Sequence, residues 1–291
     1  MGKKSKHKNR SWQESPVTAL RVGPNTSAAT FDCAATPGFR GDEHDAIKFM
    51  DKRGLELADL QEKLFANGRA GGIKSVVLVL QGMDTAGKGG AVGHVLGMVN
   101  PQGVAYHSFG VPTEEEKSHH YLWRILRALP GAGRIGVFDR SHYEDVLVVR
   151  VHNLVPPEVW GERYDDINAW EAQRADEGTL FIKCALMVSK PEQLARLEAR
   201  LDRTDKYWKY NPGDLDERER WDAYMEAYQA VFDRCSTDVA PWYAIPADNK
   251  WYARLAVTEL LTHVLEGLDL EWPPATFDVD AQKARIAALR D

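Results

Sequence analysis

A chain of 291 residues with 44% hydrophobic content can bury one large α/β core. Its net charge of −6, with four Lys and one Arg crowded into the first ten residues, leaves an acidic body and excludes a general nucleic-acid-binding face. Three cysteines, Cys33, Cys184 and Cys235, match no metal spacing and close no disulfide framework, so they read as free thiols in a reducing compartment. No apolar stretch is long enough to cross a membrane, and none follows the basic start as a secretory leader would require, so the expectation is a cytoplasmic protein.

In chain order, residues 1–40 are polar and scattered with prolines, and read as a basic arm, partly disordered, that forms no domain of its own. Residues 43–68 carry apolar side chains at helical spacing, with Gly68 and Gly71 punctuating the end. "SVVLVLQ" (75–81) is a short β-branched run, the mark of a strand buried on both faces. Further strands are expected at 103–109, 134–139, 179–188 and 241–247. Helical patterns fall between them: around 114–128, from "PEQLARLEARLD", through the amphipathic "LDERERWDAYMEAYQAVFDRC", and over about 250–266. Strand and helix alternating in this way predict a three-layer α/β/α fold on a parallel sheet. The domain is expected over 41–270 with a lid around 196–225, and 271–291 as a tail.

The chemistry begins after the first strand. Gly82-Met83-Asp84-Thr85-Ala86-Gly87-Lys88 has the spacing of a phosphate-binding loop. Gly82 and Gly87 let backbone N–H groups, including those of Ala86 and Gly89, turn toward an anion. The following helix presents its positive N-terminus at the same place, and Lys88 reaches toward terminal phosphates. Gly89 stands where such loops usually carry the Ser or Thr that binds magnesium. The strand "RIGVFD" delivers Asp139 to the same sheet edge, with Arg140 next to it as a bidentate phosphate partner. Asp84 and Asp139 then offer the hard oxygens magnesium prefers, in place of the missing hydroxyl. Asp84 as a plain turn aspartate, and Asp139 as a strand-end cap, are the bland alternatives.

Two basic segments follow the same logic. Arg196, Arg200 and Arg203 recur at helical spacing, with Lys206 and Lys209 beyond, as in a lid that closes over a transferring phosphate. A solvated face paired with Glu192, Glu198 and Asp202 is the alternative. Tyr207, Trp208 and Tyr210 interleave with the lysines and suit either a base or the core. Arg124, on the helix after the second strand, is a candidate for the phosphate groove.

These pieces together resemble the polyphosphate kinase 2 family. The resemblance rests on "GMDTAGKGG", "NPQGVAYHSFGVPTEEE", "YLWRILRALPGAGRIGVFDRSHYEDVLVVRV", "YDDINAWE", "GTLFIKCALMVSKPEQLARLEAR", "KYWKYNPGDLDERERWDAYMEAYQ" and "APWYAIPADNKWYARL", in that order from about residue 45 to 267. The version "SHYEDVLVVRV" resembles the branch that accepts nucleoside mono- and diphosphates. The resemblance implies phosphoryl transfer between inorganic polyphosphate and adenine nucleotides, with guanine nucleotides as a further class. It implies Mg2+, with Mn2+ as a substitute, and a homo-oligomer. It also implies that Asp84 and Asp139 are metal and catalytic positions, Lys88 and Arg140 bind phosphate, and Arg200 is the lid arginine. Lys117 and His120 depart from that branch, where an apolar residue and an acid are expected, and they bear on acceptor preference. Two rivals stay open at this point: an ATP-dependent nucleotide kinase of the thymidylate kinase type, against which Gly89 speaks, and a non-catalytic sensor of polyphosphate or nucleotide.

Overall fold

The five apolar runs are five strands: Ser75–Gln81 (β1), Val104–Ser108 (β2), Ile135–Asp139 (β3), Thr179–Met187 (β4) and Trp242–Pro246 (β5). The structure is a computed structural model and describes residues 12–290. All four pairings are parallel, and the order is β2-β3-β1-β4-β5. Every residue of β1 is buried, as its unbroken apolar run requires, whereas the edge strand β2 is largely exposed. The chain leaves β1, runs to the far edge at β2, returns to β3, and then crosses β1 to reach β4 and β5. The winding therefore reverses at β1, and a crevice opens beyond its C-terminal end.

Helices cover both faces, the expected three layers. Glu43–Arg69 and Lys250–Glu266 pack together with Lys88–Leu96; Pro157–Asp176 and Trp221–Cys235 pack together elsewhere on the sheet, the former against β4. Glu43–Arg69 begins on a capping box in which the Asp42 side chain accepts from the Asp45 N–H. It can lie close to the β3 approach only because Gly68 meets Gly133. A Cβ built on Gly68 would stand 2.4 Å from the Gly133 Cα.

Three elements differ from the sequence expectation. The stretch 114–128 is two short helices, Glu114–Lys117 and Trp123–Ala128, and the amphipathic stretch after 212 is broken at Arg220 into Gly213–Glu219 and Trp221–Cys235. Pro157–Asp176 was not legible as a helix, because its buried stripe is Tyr164, Ile167 and Glu171, and the acid hides the periodicity.

The expected arm also differs. Over residues 12–40, Trp12, Leu20, Val22, Ala28, Cys33 and Phe39 join the main core, so this stretch is part of the domain. The Val22 N–H donates to the Trp242 carbonyl and the Ala244 N–H to the Leu20 carbonyl, both at 2.9 Å. The segment thereby covers the edge of β5, which would otherwise present unpaired backbone groups. The basic residues 1–10, expected to be disordered, lie outside the described residues. Residues 279–287 of the tail form a helix with no buried residue. Among the described residues no helix is long and apolar enough to cross a membrane.

Candidate active site

The loop 82–88 sits in the crevice at the end of β1. Two left-handed residues shape it, Thr85 (φ 64°) and Gly87 (φ 109°). Gly87 is also the N-cap of Lys88–Leu96, and no side chain caps that helix, so its first N–H groups remain available to an anion. The Lys88 ammonium folds back and donates to the carbonyls of Gly82 at 2.6 Å and Met83 at 3.3 Å. Burial lowers its pKa below the ordinary lysine value, against the opposing pull of Asp84.

Asp84 accepts from the Arg140 guanidinium at 3.1 Å, and Arg140 also lies 3.6 Å from Glu144. Glu144 raises the Arg140 pKa most, and Asp84 adds to it. Gln81, the last residue of β1, donates to Glu144 at 2.9 Å. Asp139 ends β3 opposite Leu80 and Ser108 in register, two residues from the loop's first glycine along the sheet edge. The charges of Asp84 and, less strongly, Asp139 both favour the Lys88 ammonium, though neither Lys88 nor Asp139 lines the cavities described below. Among the described residues no three His, Cys, Asp or Glu side chains group to hold a metal. Two hard carboxylates suit a magnesium ion that draws its other ligands from phosphate and water.

The loop divides two cavities of opposite character. One, of about 400 Å³, is walled by Thr85, Ala86, Gly87 and Gly90 of the loop and helix start. Its remaining wall holds seven cations, Arg196, Arg200, Arg203, Lys206, Lys209, Lys250 and Arg254, and no acid. The other, of about 300 Å³, is walled by Gly82, Met83 and Asp84 and by Glu144, Asp214 and Glu217, with Arg140 as its one cation. Its apolar surface comes from Val111, Leu147 and Val148 and the rings of Tyr224 and Tyr228. Arg200 joins the two: it lines the basic cavity and donates to Asp214 of the acidic one at 3.2 Å, and to the Lys209 carbonyl at 3.0 Å. Burial, with the Asp84 charge, raises the Asp214 pKa to about 6.

The structure thus brings Asp84, Lys88, Asp139, Arg140 and the loop residues Gly82, Ala86 and Gly87 to one place, with Arg200, Lys206 and Lys209 beside them in the lid. Gly89, at the helix start, has open space where a side chain would go. Arg124 is not brought there. It is buried, donates to the Gly110 carbonyl at 2.9 Å, lies over the Phe109 ring, and lines neither cavity. Arg196 lines the basic cavity, but its side chain makes five bonds, to Glu192 and to the carbonyls of Thr85, Ala86, Ala247 and Asp248. It holds the loop to the sheet edge and has no free N–H to offer a phosphate. Tyr207 and Trp208 are exposed rather than core, with Lys209 over the Trp208 ring. Lys117 is held by Glu114 and lines neither cavity, and the same is true of His120 as to the cavities.

Sequence reasoning missed Glu144, Asp214 and Glu217 as one acidic wall, because they come from segments far apart in the chain. It also missed Lys250 and Arg254, whose four-residue spacing at the start of the last core helix was the available signal.

The family profile described as "Polyphosphate kinase 2 (PPK2)" matches residues 41–272. The chain is 46% identical over 243 residues to an "AMP/ADP-polyphosphate phosphotransferase" of Meiothermus ruber, spanning 84% of this chain and 90% of that one. It is 43% identical over 245 residues to an "ADP-polyphosphate phosphotransferase" of Rhodopseudomonas palustris, spanning 80% and 82%. Its fold superposes with a TM-score of 0.93 on the crystal structure of polyphosphate kinase 2 from Arthrobacter aurescens TC1, at 49% identity over 95% of this chain and 98% of that one. A phosphate-binding loop between a basic and an acidic cavity, on a fold shared throughout with these proteins, places the chain in the polyphosphate kinase 2 family.

Proposed function

We propose that the chain transfers a phosphoryl group between inorganic polyphosphate, lying in the basic cavity, and an adenine nucleotide in the acidic, aromatic one. The observation that carries this reading is the opposite charge of the two cavities that meet at loop 82–88. Seven cations without an acid fit a polyanion and no ordinary nucleoside. Four acids against one arginine fit a nucleotide only if a cation accompanies its phosphates, and the tyrosines and aliphatic side chains offer the base a flat apolar wall. The names of the relatives support AMP and ADP as acceptors, and guanine nucleotides form a further class to assay.

In this reading Lys88 leaves the Gly82 and Met83 carbonyls to hold the transferring phosphate, together with the open N–H groups at the helix start. Asp84 and Asp139 would hold Mg2+, for which Mn2+ can substitute. Held there, the metal would supply positive charge to offset that of the transferring phosphate. Arg140 sits where the acceptor phosphate enters, and Arg200 spans both cavities and covers the transfer from the lid. The protein's work is positioning and neutralisation, with no covalent intermediate required. The lack of a hydroxyl at Gly89 agrees with a donor that is a phosphate chain. We also read the protein as a cytoplasmic homo-oligomer, which size-exclusion chromatography with light scattering tests.

The direct test is to incubate the purified protein with magnesium and long-chain polyphosphate plus AMP or, separately, ADP, with no ATP added. ADP and ATP should appear by chromatography. Product formed only when ATP is the donor would assign the chain to ordinary nucleotide kinases instead.

A further inference from the structure

Behind the acidic cavity lies a buried charged cluster that the transfer chemistry does not use. Lys183 of β4 donates to the Glu171 carboxylate at 2.6 Å, to the Tyr143 hydroxyl at 2.7 Å and to the Cys235 carbonyl at 2.8 Å. Glu171 also accepts from His142 and from Tyr143, each at 3.0 Å. Lys183, Glu171, His142 and Tyr143 are all fully buried. Burial alone would raise the Glu171 carboxyl, but Lys183 and His142 outweigh it and hold its pKa below the ordinary value, so it stays ionised. Among the described residues His142 Nδ1 has no hydrogen-bond partner, so Glu171 is the ring's one polar anchor through Nε2.

A buried ion pair of this kind is weak evidence for stability, since apolar residues of similar size commonly serve as well or better. What it does hold is the turn after β3. His142 and Tyr143 lie between Arg140 and Glu144, the two residues of that turn that face the acidic cavity. Arg140 itself has φ 64°, a left-handed backbone that a residue with a side chain adopts only where its surroundings fix it. Its N–H donates to the Leu80 carbonyl at one end of the turn, and the buried cluster grips the other.

We propose that the Glu171–Lys183 pair is a positioning device: through His142 and Tyr143 it holds the turn that aims Arg140 and Glu144 into the nucleotide cavity. This rests on the assignment of that cavity to the nucleotide. It makes Glu171, Lys183, His142 and Tyr143 positioning residues for acceptor binding, acting from behind the site without touching the substrate. It predicts that disturbing the cluster weakens nucleotide binding selectively, because the basic cavity is built from residues 85–90 of the loop and helix start, the lid and the last core helix, and among the described residues none of these hydrogen-bonds to the cluster.

The test compares wild type with Tyr143→Phe and with the double variant Glu171→Leu/Lys183→Met, which removes both charges together. ADP binding is measured by calorimetry without turnover, and kcat and KM for polyphosphate and ADP by nucleotide assay. The expected result in both variants is an ADP Kd raised about tenfold and kcat lowered about tenfold or more, the scale of a small misplacement of reacting groups. The KM for polyphosphate should stay within about twofold. ADP affinity and kcat like wild type would overturn the proposal, as would an equal loss of both substrates, which is what general loosening produces. Should the double variant fail to fold, Tyr143→Phe decides, since Lys183 there keeps Glu171 and the Cys235 carbonyl. A wild-type protein that binds no ADP would fail the cavity assignment itself, a separate outcome visible before any variant is made.

Discussion

Replacing Lys88 with Ala separates the loop's two duties, holding itself closed and holding phosphate. In the free protein the ammonium bonds two loop carbonyls, Gly82 and Met83. Bonds from a charged donor contribute about 1.5–3 kcal/mol each. Burial works against them strongly enough to lower the Lys88 pKa in the fold. The charged lysine is therefore less favoured in the folded chain than in the unfolded one. That penalty is present while the pH is below the folded pKa and is relieved as the pH rises through it toward the unfolded value near 10.4. At pH 7 Lys88→Ala should then melt at or above the wild-type temperature, and the difference should narrow in alkaline buffer. Activity should behave in the opposite way. Deleting one preorganised donor costs on the order of 10²–10³ in turnover, about 2.7–4 kcal/mol. Calorimetric melting and a polyphosphate-dependent ATP assay on one preparation measure both. Turnover within about threefold of wild type, well short of that range, would refute the role given to Lys88. A large loss of stability would refute the reading of its lowered pKa.

Three further substitutions probe other parts of the account. Gly89→Ser meets open space at the start of a helix, so it should fold as well as wild type or gain about 0.5 kcal/mol from helix propensity, and keep polyphosphate-dependent activity; loss of that activity would mean position 89 matters for more than a missing metal ligand. Asp214→Asn tests the raised carboxyl. An acid whose folded pKa is about 6 stabilises the fold below its unfolded value near 3.9 and loses that stabilisation as the pH rises through 6. Melting temperatures of wild type and Asp214→Asn should therefore converge below pH 4, with the variant higher above pH 6; the reverse order would contradict the burial argument. Gly68→Ala drives a methyl into the Gly133 backbone and should destabilise by about 1–3 kcal/mol or more in denaturant titration, while leaving ADP affinity of the folded fraction unchanged.

The sheet and the loop were legible in the sequence because each is a local pattern. The β-branched run of β1 leads straight into the glycine spacing of the loop, the acid Asp139 directly closes the apolar run of β3, and buried parallel strands leave a continuous apolar signature. Arg124 and Arg196 show where that reasoning runs out. Both have the right charge in plausible places, yet Arg124 turns to Gly110 and Arg196 spends every N–H on the protein's own oxygens. Donors that a fold consumes are indistinguishable in sequence from donors it leaves free. The acidic wall is non-local: Asp84, Glu144, Asp214 and Glu217 meet only because the winding reverses at β1 and the lid folds back over the crevice. The cover over β5 was illegible for the same reason, since Leu20 and Val22 find their partners more than two hundred residues away.

The claim that matters most is that donor and acceptor occupy separate cavities on the two sides of loop 82–88. Arg203 lines the basic cavity, is paired among the described residues only with Asp205 at the surface, and lies outside the acidic cavity. Steady-state kinetics of Arg203→Ala, with polyphosphate and ADP varied in turn, should show KM for polyphosphate raised about tenfold to a hundredfold, the range of a charge-assisted contact of about 1.5–3 kcal/mol, and KM for ADP unchanged. A parallel rise in both constants, or a rise for ADP alone, would contradict the two-cavity account.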